Sequence, residues 1–375
     1  FANGKSVIDE TICIRCGKCA SACSYHAIAF IERPCQAACG MDAIGLDENG
    51  KARIDYDRCV SCGQCLVSCP FGAIVDKSQI FQVVRSIAEG NTVVAIVAPS
   101  FVGQFGKNVT VPKFVAAMKQ LGFSDVVEVA AGADVCAIEE ARDFVEKVPA
   151  QQKFLATSCC PSWRMMARRL FPDESGNISM TYTPMIYTAR LVKHTHPGSK
   201  VVFIGPCAAK KLEAMQQELR SDVDFVLTYE ELMGIFEAKA IDFSQLPDTD
   251  DLHDASGLGR GFAAAGGVAA AVEEVLRRTQ PDMEVKIQRA DGLRECRRLL
   301  TLAKAGKFDG YLLEGMACPG GCVAGAGTII PAEAAKKQLD AHAKQATVFS
   351  CAESPYRAFA GLLEEPAARE EETKR

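Results

Sequence analysis

Beyond residue 92 the chain alternates short apolar runs with longer amphipathic stretches. Thr92–Ala98, Lys153–Thr157, Lys200–Ile204 and Gly310–Leu313 are brief, mostly β-favouring runs, and the intervening segments 112–121, 135–147 and 266–278 repeat their apolar positions at the period of a helix. This alternation predicts an α/β arrangement of strands and helices over residues 93–365. Residues 331–348 predict a further helix, and the closing EEPAAREEETKR predicts a solvated or disordered tail. The first 69 residues carry neither period; cysteine is the recurring residue there, and the boundary between the two regimes falls near residue 80. A length of 375 residues, 48% of them hydrophobic, provides for two or three domains with a sizeable core.

The chain has 18 cysteines, ten of them within the first 69 residues. Cys13, Cys16, Cys19 and Cys23 recur 46 positions later as Cys59, Cys62, Cys65 and Cys69, and each set is followed by an Ala-Ile pair, Ala27–Ile28 and Ala73–Ile74. In such a repeat three thiolates from one tight turn hold three corners of a 4Fe-4S cube, and the fourth cysteine crosses to the other cube. Zinc sites favour two cysteine pairs over a triplet run, so iron–sulfur is the better reading. Between the copies, Cys35 and Cys39 in Arg33-Pro34-Cys35-x3-Cys39 form half of a third copy. Ten cysteines exceed the eight of two cubes and fall short of the twelve of three; two cubes are expected. The ordinary pairing joins Cys59, Cys62 and Cys65 with Cys23, and Cys13, Cys16 and Cys19 with Cys69; in the rival pairing Cys39 replaces Cys23. His26, beside the first loop, is expected to be solvated.

The residues immediately after each apolar run carry the remaining chemistry: Pro99-Ser100, Ser158-Cys159-Cys160-Pro161, Gly205-Pro206-Cys207 and Met316-Ala317-Cys318. Sites in open α/β sheets form beyond the carboxyl ends of strands. Four segments can therefore deliver cysteines to one place, which favours a metal role for Cys160, Cys207, Cys318 and Cys322 over buried structural thiols. Cys136, Cys296 and Cys351 read as ordinary thiols. Lys and Arg number 42 against 47 Asp and Glu, and the net charge of -5 gives no electrostatic reason for a nucleic acid or an anionic membrane as partner. No stretch approaches the ~18–20 apolar residues of a spanning helix, and the opening FANGKSVIDE lacks the basic-then-apolar pattern of a secretory signal, so a soluble cytoplasmic protein is expected. Gly257, Gly259 and Gly261 make no dinucleotide fingerprint, because no strong strand precedes them.

At this point the sequence strongly resembles the FeFe hydrogenases, over nearly the whole chain. Thr157-Ser158-Cys159-Cys160-Pro161-Ser162-Trp163 looks like the family's first signature, Pro206-Cys207 with Lys210 and Glu213 like the second, and Glu314-x-Met316-Ala317-Cys318-x3-Cys322-x2-Gly325 like the third. The resemblance implies an α+β ferredoxin-like N-terminal domain over residues 1–80, an α/β catalytic domain over 81–365 and a tail over 366–375. It implies an H-cluster, a 4Fe-4S cube joined through one cysteine to a diiron unit bearing CO, cyanide and an azadithiolate, held by Cys160, Cys207, Cys318 and the bridging Cys322. Two additional 4Fe-4S clusters would draw on Cys13, Cys16, Cys19, Cys23, Cys35, Cys39, Cys59, Cys62, Cys65 and Cys69. Lys210, positioned by Glu213, would meet one cyanide and Ser100, beside Pro99, the other, while Met316 and Phe262 would exclude water. Cys159 would pass protons on through Glu140, Ser179 and Asp143.

The implied activity is the reversible oxidation of H2 to two protons and two electrons, with a soluble electron carrier such as ferredoxin, or a signalling partner, receiving the output. Several positions depart from the pattern. Asp143 stands for a Glu and Lys147 for an Arg, and Gly205 stands for a Met, which removes an apolar wall. Met185-Ile186 replaces two Gln, and Gly325-Ala326-Gly327-Thr328-Ile329 replaces a Gly-Gly-Gly-Gln-Pro run. These changes resemble branches suggested to sense hydrogen with low turnover. The alternative is a non-catalytic iron–sulfur assembly or carrier protein of the same fold, and the retention of Cys159, Lys210 and Glu213 counts against it.

Overall fold

A computed structural model of the chain describes residues 7–9, 12–14, 16–28, 33–248, 252 and 255–362. The expected tail, 366–375, lies outside the described residues. The N-terminal segment contains short helices and one antiparallel hairpin of β1 (Ile44–Leu46) and β2 (Ala52–Ile54). The remainder contains β3 (Val93–Val97), β4 (Asp125–Glu128), β5 (Leu155–Ala156), β6 (Lys200–Gly205), β7 (Phe225–Thr228), β8 (Lys286–Asp291) and β9 (Tyr311–Met316). They form two all-parallel sheets, β4-β3-β6-β7 and β5-β9-β8. A small α+β segment thus precedes an α/β domain, the fold class the sequence predicts.

The predicted helices appear as Val111–Leu121, Ala130–Lys147, Gly267–Thr279 and Ala332–Ala343. The first begins at Thr110, whose hydroxyl accepts the Lys113 N–H, and carries Pro112 in its first turn, as a helix start requires. The second begins five residues before the expected 135, because Ala130-Ala131-Gly132-Ala133 is too small to show a period yet is buried on all sides. Three strands escaped the apolar-run reading. β4 and β7 have four residues each, and β8 is a half-exposed edge strand with Lys286, Gln288 and Arg289 in it. Gly257–Gly261 is a short helix capped by Ser256; a Cβ on Gly259 would sit 2.3 Å from Asp134 and 2.7 Å from the Ala130 carbonyl. Those glycines serve close helix packing.

Two apolar cores cover the two faces of the four-stranded sheet. A third surrounds Trp163, whose ring is so close to Gly315 that a Cβ there would lie 2.2 Å away. Met41, Ala43 and Val60 of the N-terminal segment are buried in this third core beside Leu293 and Leu313. Burying a side chain such as Met41 contributes roughly 1.5–3 kcal/mol. Polar ties reinforce the junction: Ser162 Oγ donates to Val60 O at 2.8 Å, Arg169 to Cys59 O at 2.7 Å and Arg294 to Ala37 O at 2.7 Å. No described helix is long and apolar enough to cross a membrane.

Candidate metal centre and proton path

The carboxyl ends of β3, β5, β6 and β9 converge on one cavity. Pro99 follows β3, Cys159 and Cys160 follow β5, Pro206 and Cys207 follow β6, and Met316 ends β9 ahead of Cys318 and Cys322; all line that cavity with Lys210 and Phe262. Burial, then the neighbouring Cys160, pushes the Cys207 thiol up to about 11, and burial with Cys207 and Cys160 pushes Cys322 up to about 12. Burial raises Cys318 as well, with Cys207, Cys160 and Cys322 adding to it. Four thiols around a largely apolar cavity with one ammonium are the soft donor set that suits an iron–sulfur centre, whose cationic iron would stabilise the thiolates. The residues fit a cysteine-held cluster.

Lys210 is buried, and its Nζ donates to Glu213 Oε2 at 2.7 Å and to the Cys159 carbonyl at 3.4 Å. Burial alone would lower its pKa. Glu213, then Cys207 and Cys159, outweigh that and raise it, so the ammonium stays charged inside the cavity wall.

Cys159 is buried; burial raises its thiol, and Glu140 is the first charged group to add to the rise. Glu140 is itself buried. Its Oε1 accepts the Ser158 N–H at 2.8 Å and lies 3.1 Å from the Ser158 hydroxyl, while Oε2 has no partner among the described residues. Burial pushes Glu140 up to about 7, against the lowering by Ser158. One isolated bridge, Ala156 to Ile178, brings the next segment alongside, and Ser179 N–H donates to Ala156 O at 2.8 Å. The Ser158 hydroxyl is 2.6 Å from Thr181 O, the Thr181 and Ser179 hydroxyls are 2.9 Å apart, and Ser179 Oγ donates to Asp143 Oδ2 at 3.3 Å. The last separation is long for an O–H···O bond. Asp143 pairs with Lys147 at 2.9 Å, where the side chain reaches solvent.

Other predicted residues are placed differently. The Ser100 hydroxyl is not on the cavity lining; it bonds Tyr229 Oη at 2.8 Å, and Tyr229 donates in turn to Ala98 O at 3.1 Å. Tyr229 follows β7 and lies 129 positions away in sequence, so no local signal announces it. Gly205 leaves no gap. A Cβ there would meet the Phe203 ring at 2.5 Å, and Phe203 lines the cavity where a residue-205 side chain would otherwise stand. The signal was present in the sequence, since residues two apart on a strand share a face. Met185 also lines the cavity, with Ile186 buried in the same core. In the Gly325-Ala326-Gly327 run, Gly325 presses on Pro206 and Gly327 on Thr228, both with a Cβ distance of 2.5 Å.

In the N-terminal segment Cys39, Cys59, Cys62 and Cys65 line a second cavity, and Cys62 lines the first as well. Burial pushes Cys62 up to about 12, with Cys39, Cys65 and Cys59 adding to the rise. Cys35 and Cys69 line a separate depression. Cys13 and Cys23 are half-buried, whereas Cys16, Cys19 and His26 are exposed.

Residues 91–326 match the family described as iron only hydrogenase large subunit, C-terminal domain, and residues 12–73 match a 4Fe-4S dicluster domain. The chain is 31% identical to iron hydrogenase 1 of Clostridium pasteurianum, over 85% of this chain and 64% of that protein. It is 26% identical to cytosolic iron-sulfur assembly component 3 of Bos taurus, over 61% of this chain and 59% of that one. The chain thus spans about three-fifths of the length of these relatives. Among solved structures, an [FeFe]-hydrogenase matches 79% of this chain and 98% of its own, with a TM-score of 0.66 and 20% identity.

Proposed function

The chain belongs to the iron-only hydrogenase family, as an iron–sulfur protein with a ferredoxin-like segment ahead of the family's α/β domain, and from that premise we propose that it interconverts H2 with two protons and two electrons. Residues 1–80 serve as the electron wire and 81–365 as the catalytic domain. Cys160, Cys207, Cys318 and Cys322 hold the H-cluster, which when bound supplies an iron site for heterolytic cleavage of H2 and an outlet for its electrons. Lys210, kept charged by Glu213, would offer its ammonium to a cyanide ligand of that cluster. Met316, Phe262, Met185 and Phe203 wall the cavity against water.

The observation that carries this reading is the buried polar file of Glu140, Ser179 and Asp143 behind the thiol-lined cavity, with Glu140 held by the N–H of the residue before Cys159. Cys159 takes the proton at its sulfur and passes it to Glu140, whose raised pKa near neutrality suits a group that must both accept and release. Ser179, which donates to Asp143 Oδ2, and Asp143 continue the path toward the surface, where Asp143 pairs with Lys147. Two additional 4Fe-4S clusters, held by the N-terminal cysteines, would supply the electron route to a soluble carrier such as ferredoxin in the cytoplasm; the departures at Asp143, Met185 and Ile186 suit a slow, hydrogen-reporting version with a signalling partner. A second reading follows from the likeness to the assembly protein: a cluster carrier without a diiron unit, which would have no use for the file behind Cys159.

Infrared spectra of the anaerobically reconstituted protein, before and after loading with a synthetic diiron precursor, separate the two. CO and cyanide bands that shift between argon and hydrogen are expected. Intact cubes with no protein-bound bands would favour the carrier.

A further inference from the structure

Resting on the reading of the N-terminal segment as an iron–sulfur wire, we propose that the cube next to the catalytic domain is closed by Cys39, from the incomplete third copy of the repeat, and not by Cys23. Cys39 lines one cavity with Cys59, Cys62 and Cys65, and Cys23 is not among its lining residues. Two backbone amides are already aimed at these sulfurs: Ala43 N–H donates to Cys39 Sγ at 3.3 Å and Ser61 N–H to Cys59 Sγ at 3.4 Å. Such bonds are the usual stabilisers of cluster sulfurs.

The catalytic domain fixes Cys39 in place. Cys39 follows the helix Pro34–Ala38, whose Ala37 carbonyl is held by Arg294. The next residue is pressed so tightly against the catalytic domain that a Cβ on Gly40 would lie 2.7 Å from Leu293 Cβ. Met41 and Ala43 are then buried in the shared core. The hairpin carries this anchorage to the triplet: Asp55 N–H donates to Ala43 O at 2.8 Å and Cys59 N–H to Asp55 O at 2.9 Å. Cys23, by contrast, ends a helix, Lys18–Ala22, with no buried residue. Because Cys62 lines both cavities, the cube closed by Cys39 is the one that abuts the catalytic centre.

The test uses the full chain, reconstituted anaerobically without any diiron precursor, so its outcome is independent of whether the hydrogenase reading holds. Iron and acid-labile sulfide are counted in Cys39→Ser, Cys59→Ser and the double variant. Each single change is expected to remove one cube's worth of iron, and the double no more than either, because both residues serve one cube. Full iron in Cys39→Ser, or loss of two cubes in the double, would overturn the proposal. So would a Cys23→Ser variant that loses one cube and loses no more when combined with Cys59→Ser. Should the Ser variant fold poorly, Cys39→Asp supplies a carboxylate ligand; a retained cube with an altered electron paramagnetic resonance spectrum is expected, and an unaltered spectrum would count against Cys39.

Discussion

The two thiol-lined cavities meet at Cys62 and are assembled in opposite ways. In the first cavity each strand end delivers one or two groups, and the candidate ligands Cys160, Cys207, Cys318 and Cys322 span more than 160 positions of sequence. In the other, three of the four thiols come from one tight loop, Cys59 to Cys65. A loop can be recognised by its spacing, but it leaves the identity of its fourth thiol to tertiary structure. The strand-end site is built from segments far apart in sequence, so its motifs name the thiols and only the strand order brings them together. Rigidity follows the same division: the strand-end cysteines follow β5, β6 and β9, strands buried nearly throughout, whereas the first cysteine loop, Cys13 to Cys23, contributes no buried residue among those described.

The largest expected effect sharpens the contrast by acting on one region alone. Glu140→Gln keeps the acceptor for Ser158 N–H but cannot carry a proton, so turnover of the loaded protein should fall roughly 100-fold or more while the iron–sulfur spectrum of the N-terminal segment is unchanged. The same substitution has a pH signature. Burial raises Glu140 from 4.5 to about 7, so its favourable contribution is complete below pH 4.5 and is lost as pH rises through 7. Above that pH the Gln variant should be the more stable protein, by on the order of 3 kcal/mol. Denaturation midpoints at pH 5 and pH 8 would show it, and a difference that does not grow with pH would contradict the buried-acid account.

A smaller effect is expected at the cavity wall. Gly205→Met must displace the Phe203 ring, an overpacking that costs about 1–3 kcal/mol. Adding Phe203→Ala should recover most of that loss, because the two side chains then exchange places. Failure of the second change to rescue the first would mean that Phe203 does not occupy the missing wall.

Much of this was legible in the sequence, for identifiable reasons. The runs that became β3, β6 and β9 are continuous and apolar because their strands are buried on both faces. β4 and β7 are too short to stand out, and β8 is polar because one side faces water. The strand-end cysteines, Lys210 and Glu213 were legible through signature motifs, and their convergence follows from parallel topology. The hidden parts depend on partners far away in sequence. Tyr229 takes the Ser100 hydroxyl, Ser158 and Thr181 stand between Glu140 and Ser179, and Leu293 and Arg294 secure the segment that carries Cys39.

The most direct test of the central claim is hydrogen oxidation with an artificial electron acceptor by the diiron-loaded protein, native and Cys159→Ala, with infrared spectra of the same samples. Measurable turnover in the native chain, falling roughly 100-fold or more in the variant while its CO and cyanide bands persist, is the predicted result. Equal turnover in both, or none in a native chain whose bands are intact, would contradict a proton path that begins at Cys159.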